Sequence, residues 1–87
     1  MLKIQRKAHG DVELKVSGRL DAGNLDELCS MIAAEPGVQG LVLDLVDLVL
    51  VDRDTVRFLC ECEREGIVLR DCPRYVRTWM DHESEVS

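Results

Sequence analysis

Apolar and polar residues alternate twice near the start of the chain. Leu2 and Ile4 alternate with Lys3 and Gln5 in a run that reaches Lys7, and Val12, Leu14 and Val16 alternate with Glu13, Lys15 and Ser17. His9-Gly10-Asp11 lies between the runs and has turn chemistry, so the pair predicts a β-hairpin. Gly18-Arg19-Leu20-Asp21 ends the second strand. The period then changes: Leu25, Leu28, Met31 and Ile32 share one helical face, with Asp21 as the N-cap and Pro36-Gly37 as the stop.

Leu41 to Leu59, LVLDLVDLVLVDRDTVRFL, is the densest apolar stretch, interrupted by Asp44, Asp47, Asp52 and Asp54. Its density reads as a strand over Leu41–Leu45 buried on both faces. An acidic turn follows, and Asp52 caps a helix whose inner face holds Val56, Leu59, Cys60 and Phe58 and which Gly66 closes. Ile67, Val68 and Leu69 predict a last strand. Pro73 suits the first turn of a final helix that places Val76, Trp79 and Met80 on one side. The order is β-β-α-β-α-β-α. It implies an α/β fold, a mixed β-sheet of about four strands with helices packed on it. Residues 1–80 form a single domain, and residues 81–87, DHESEVS, without an apolar pattern, are expected as a disordered tail.

Composition narrows the function. At 87 residues the chain is small for independent folding, but 46% apolar residues suffice for a core built mainly on aliphatics, since aromatics are only 3%. The net charge of −6 without a basic cluster argues against nucleic acid and against an anionic membrane surface. It suits a basic protein partner, or simply solubility. No stretch reaches the roughly 18 apolar residues of a membrane span, and Met1 to Arg6 lacks a signal-peptide core, so the expected location is cytoplasmic.

Candidate chemistry is sparse. Cys29, Cys60, Cys62 and Cys72 form no CxxC pair and no zinc spacing, and read as free thiols; Cys72, before Pro73 at a helix start, is the one where a lowered pKa would support a redox role. The acids at 44, 47, 52 and 54 lack a calcium-loop pattern, so no metal is expected. His9 and His82 have no catalytic neighbour in sequence, and no glycine-rich phosphate loop exists, so neither enzyme activity nor a cofactor is expected. Arg70, Arg74 and Arg77 make a small basic spot near the final helix. Trp79 and Met80, if exposed, would anchor a partner or a homodimer.

Four segments together resemble the STAS domain, shared by sulfate transporters and bacterial anti-sigma-factor antagonists. Gly18-Arg19-Leu20-Asp21-Ala22 is similar to the family's G-x-L-D before its first helix, and Leu41-Val42-Leu43-Asp44-Leu45 to its central strand. Val51-Asp52-Arg53-Asp54-Thr55 stands at its D-S-S-G turn, and Pro73-Arg74-Tyr75-Val76 resembles its last strand-to-helix passage. The resemblance runs from Leu2 to about Met80. It implies a non-enzymatic protein-binding module, with a kinase-like anti-sigma factor as partner. In antagonist members a serine in the turn is phosphorylated by that partner and binding ends. Here Arg53 and Asp54 replace the two serines and Thr55 the glycine, so the phosphoswitch does not carry over. Asp54, at the acceptor position, either mimics part of a phosphoserine or serves only the helix dipole. Thr55 is read as a capping or solvated residue rather than a shifted acceptor. The expected partner surface is Asp52, Arg53, Asp54, Thr55 and Arg57. The alternatives are a subunit of a larger assembly such as a lipid-transport ABC complex, with a transporter ATPase as partner, and a small thiol redox protein.

Overall fold

The computed structural model describes residues 2–37 and 40–86, the side chains of His9 and of residues 84–86 excepted. It is an α/β fold with a five-stranded mixed sheet and three helices. Strands β1 (Leu2–His9) and β2 (Asp11–Leu20) form the predicted hairpin, with Leu2 opposite Gly18 and His9 opposite Asp11. Gly10 turns the chain at φ 86°, a conformation open to glycine and costly for other residues.

Helix α1 (Leu25–Ala33) starts later than predicted. Its N-cap is Asn24, and that side chain makes no cap hydrogen bond. Asp21 instead builds the approach: its carbonyl accepts from the N–H groups of Asn24 and Leu25, and its carboxylate from the N–H of Gly23 at 3.0 Å. The Asn24 side chain holds this loop from two sides, accepting from Asp21 N and donating to Arg19 O, each at 2.9 Å.

The apolar run after Leu41 makes two strands, β3 (Val42–Asp44) and β4 (Leu48–Val51), where one was expected. Asp44 breaks it. Its carboxylate accepts from Val46 N at 3.1 Å, and Leu48 N bonds back to Leu45 O at 3.1 Å, so the chain turns before Leu48. Both strands run parallel to β2, β3 along Glu13–Lys15 and β4 along Gly18–Leu20. Strand β5 (Val68–Arg70) pairs parallel with β3.

The run is also buried on one face rather than two. Leu41, Leu43 and Leu45 are buried, whereas Val42 and Asp44 are only half-buried. The same alternation holds along β2, where Leu14, Val16 and Leu20 enter the core and Glu13, Lys15 and Ser17 do not. Helices α1, α2 (Arg53–Arg64) and α3 (Arg74–Val86) add Leu28, Val56, Leu59, Val76 and Met80 to that one core. The other sheet face mixes ion pairs with exposed apolar residues such as Val68: Arg70 pairs with Glu13 and, at 3.7 Å, with Asp44, and Lys15 pairs with Asp47 at 3.1 Å. Ion pairs keep this face wet, so apolar density alone overstated its burial.

Helix α3 continues to Val86, so the stretch expected as a tail from residue 81 is helical as far as it is described; Ser87 lies outside the described residues. Charge rather than an apolar stripe holds this end. Glu83 reaches α2, with Arg53 at 3.0 Å and Arg57 at 3.7 Å. Among the described residues no helix is long and apolar enough to cross a membrane.

Candidate functional site

The parallel pairing of β2 with β4 brings two chain reversals side by side at the ends of the strands: the loop at 21–24 before α1, and Asp52 before α2. Asp52 joins them. It has extended backbone at φ −112°, as an N-cap does, and its Oδ1 accepts from Thr55 N at 2.9 Å. Its Oδ2 accepts from Ala22 N, also at 2.9 Å. One carboxylate therefore caps α2 and tethers the loop before α1. These bonds, Ala22's first and Thr55's second, hold the Asp52 carboxyl below the ordinary aspartate value.

Thr55 closes the arrangement from inside. It is fully buried, and its hydroxyl donates to Leu20 O at 3.0 Å. A residue expected on the partner surface therefore lies beneath it and fastens the start of α2 to the end of β2. The other four do reach solvent: Asp52 is half-buried, and Arg53, Asp54 and Arg57 are exposed. Arg53 and Arg57 share Glu83, whose side chain is 13% exposed against 60% and 57% for the arginines. Asp54 sits in the first turn of α2 and has no ion pair among the described residues. Residues 19–23 and 50–52 line an open recess of about 360 Å³ beside the turn.

Sequence reasoning missed three contributors: Ala22, Asn24 and Glu83. Ala22 contributes its own backbone N–H to the Asp52 carboxylate, and Asn24 bonds backbone groups three and five residues back; no local pattern reveals either. For Glu83 the only available signal was an acidic run following an arginine-rich helix start. Of the basic spot, Arg70 and Arg77 are committed, to Glu13 and to Glu63 (2.9 Å), and only Arg74 forms no ion pair among the described residues. Met80 is buried and Trp79 half-buried, so Met80 serves the core rather than a partner.

Cys29, Cys62 and Cys72 lie in surroundings that raise a thiol pKa. Burial pushes Cys62 up to about 12 and also raises Cys29. At Cys72 burial outweighs the lowering influence of Arg77, so the helix start does not make a reactive thiolate there. Alkylation at pH 7 is expected to be slow at Cys62 and Cys72 in the native protein and complete at all four cysteines in guanidinium. Fast native labelling of Cys72, read by peptide mass mapping, would reverse this assignment. Among the described residues, no three His, Cys, Asp or Glu side chains group as a metal site.

No family model matches this chain, and no curated protein matches it.

Proposed function

We propose that this chain is a non-enzymatic, STAS-like protein-binding module of the cytoplasm, with its partner surface at the start of α2 and the adjoining loop at 21–24. The observation that carries the reading is the Asp52 carboxylate bridging Ala22 N and Thr55 N. It joins the two segments that most resemble the family's motifs into one rigid surface. Such a surface suits recognition, because a docking face gains affinity when its loops are already ordered.

Binding by this module is not controlled by phosphate. The acceptor position carries Asp54, whose carboxylate is exposed and supplies a fixed negative charge at the helix start. The partner is a protein, either a kinase-like anti-sigma factor or a transporter ATPase, and the reading needs neither cofactor nor metal.

The test is capture from the native host with wild type, Asp54→Ser and Asp54→Arg in parallel, quantified by mass spectrometry. Wild type should retain one of those two partner classes, and Asp54→Arg should lower the yield at least about tenfold, equivalent to about 1.4 kcal/mol. Asp54→Ser separates the two meanings of the acid. Stronger capture of an anti-sigma factor by the Ser form identifies Asp54 as a built-in off state, whereas equal capture leaves it a helix-start charge. Retention of neither partner class by any form would sink the reading.

A further inference from the structure

Beside the Asp52 turn the sheet presents apolar side chains to water. Along β2 and β4 the pairing shifts between Gly18 and Arg19: Gly18 lies opposite Leu48, and Arg19 opposite Leu50. Val49 is thus an extra residue without a counterpart on β2, a bulge. Gly18 permits it by taking φ 92°, in the region that favours glycine, and donates its N–H to Asp47 O at 3.0 Å.

The bulge redirects a side chain. Strict alternation from the buried Leu48 would expose Val49 and bury Leu50. Instead Val49 is 70% exposed and Leu50 47% exposed, and the chain re-enters the core only at Val51. Tyr75, at the start of α3, fixes this backbone by donating its hydroxyl to Val49 O at 2.8 Å, and is itself 47% exposed. Leu50 also borders the recess of about 360 Å³, together with Leu20, Ala22 and Val51. One apolar side chain from another molecule would therefore meet an open recess with aliphatic groups on its wall.

In and near the recess acids outnumber cations. Arg19, the only cation on the recess wall, pairs with Asp21 at 3.5 Å. Arg53 and Arg57 share the one carboxylate of Glu83, which offsets one of their two charges. Both Asp52 oxygens are committed to backbone N–H groups. Asp54, at the start of α2, and Asp26 and Glu27, in the first turn of α1, are exposed with no ion pair among the described residues. Asp54 follows the lining residue Asp52 by two positions and Asp26 follows Gly23 by three, so the starts of both helices bring unpaired carboxylates close to the recess, on a chain of net charge −6.

We infer that this recess takes a protein segment presenting one apolar side chain flanked by Lys or Arg. The inference rests on the protein-binding reading and gives the partner its chemistry. The apolar side chain enters against Leu50 and Val51, and its cations meet Asp54 and the acids of α1. Desolvated apolar anchoring supplies most of the affinity, and the charges supply selection and association rate. The same rim repels an acidic segment.

The test is selection of the full-length chain against a display library of random peptides, followed by titration of the selected peptide into ¹⁵N-labelled protein. The expected consensus is an aliphatic or aromatic residue beside Lys or Arg. Amide shifts should centre on residues 19–23 and 49–52, and binding should weaken as salt is raised. Leu50→Asp should raise Kd at least about tenfold, about 1.4 kcal/mol. Val49→Ser, at the more exposed position, should raise it severalfold and serves should Leu50→Asp fail to fold. An acidic or uncharged consensus, shifts mapping elsewhere, or no selected peptide would overturn the inference. Shifts confined to residues 53–57 would overturn it and leave the protein-binding reading standing. That reading fails separately, by the host capture.

Discussion

Asp52→Ala is expected to lower the stability of the folded chain by about 2–3 kcal/mol at neutral pH. Loss of an N-cap typically costs about 1 kcal/mol, and a hydrogen bond to a charged acceptor contributes about 1.5–3 kcal/mol, near the low end here because Ala22 is exposed. The alanine form loses both, since Asp52 Oδ1 serves Thr55 N and Oδ2 serves Ala22 N. Asp52→Asn separates the two contributions. Asparagine is a good N-cap, so its one oxygen keeps the Thr55 bond. Its amide nitrogen then faces the Ala22 N–H, donor against donor. Asparagine should therefore retain α2 while releasing the loop at 21–24. Urea unfolding of the three forms gives the ranking wild type above Asn above Ala. An asparagine form as stable as wild type would mean the Ala22 tether contributes nothing.

The same carboxylate sets an acid dependence. Its folded pKa is depressed, by the Ala22 bond first and the Thr55 bond second. A group of this kind stabilises the fold fully above its unfolded pKa of about 4, and that stabilisation is lost as pH falls through the folded value. The deficit of Asp52→Ala should accordingly be complete at pH 7 and shrink below about pH 4. A deficit that stays constant down to pH 2 would assign the effect to packing instead of charge.

Local chemistry made part of this site legible. Asp52 announces itself as a cap because an acid precedes a helical apolar pattern, and the hairpin follows from two alternating runs around Gly10. The structure keeps both because nothing tertiary opposes them. Asp21 was read as a cap on the same grounds, yet its carboxylate turns to Gly23 N and α1 waits for Asn24. A short acid before a helix has two nearby N–H choices, and sequence alone does not rank them. The apolar run from Leu41 to Val51 hid both a turn and a bulge. Asp44 was visible as an interruption, but its bond to Val46 N, which makes it a strand terminator, was not. Gly18 inside a strand pattern was the one local sign of the bulge. The Glu83 clamp on Arg53 and Arg57 joins residues about thirty positions apart, and only the packing of α3 on α2 brings them together.

Thr55→Val is expected to destabilise the chain by about 1–2 kcal/mol, although valine fills nearly the same volume. The loss comes from one bond. Thr55 is fully buried, and its hydroxyl donates to Leu20 O at 3.0 Å; valine leaves that carbonyl facing a methyl group. Thr55→Ser keeps the donor and gives up a buried methyl, at about 0.8 kcal/mol. If valine is tolerated better than serine, packing and not the hydrogen bond positions the start of α2. The bond also bears on modification. For Thr55 to accept a phosphate, its hydroxyl would have to release Leu20 O and leave a site with no solvent exposure. The turn would have to open first, against both the Asp52 cap and the Ala22 tether. Incubation of the native chain with host kinases and ATP should therefore leave the intact mass unchanged. Phosphate on Thr55 in wild type would show that the turn opens on its own, and would give the turn a modification site one residue beyond Asp54.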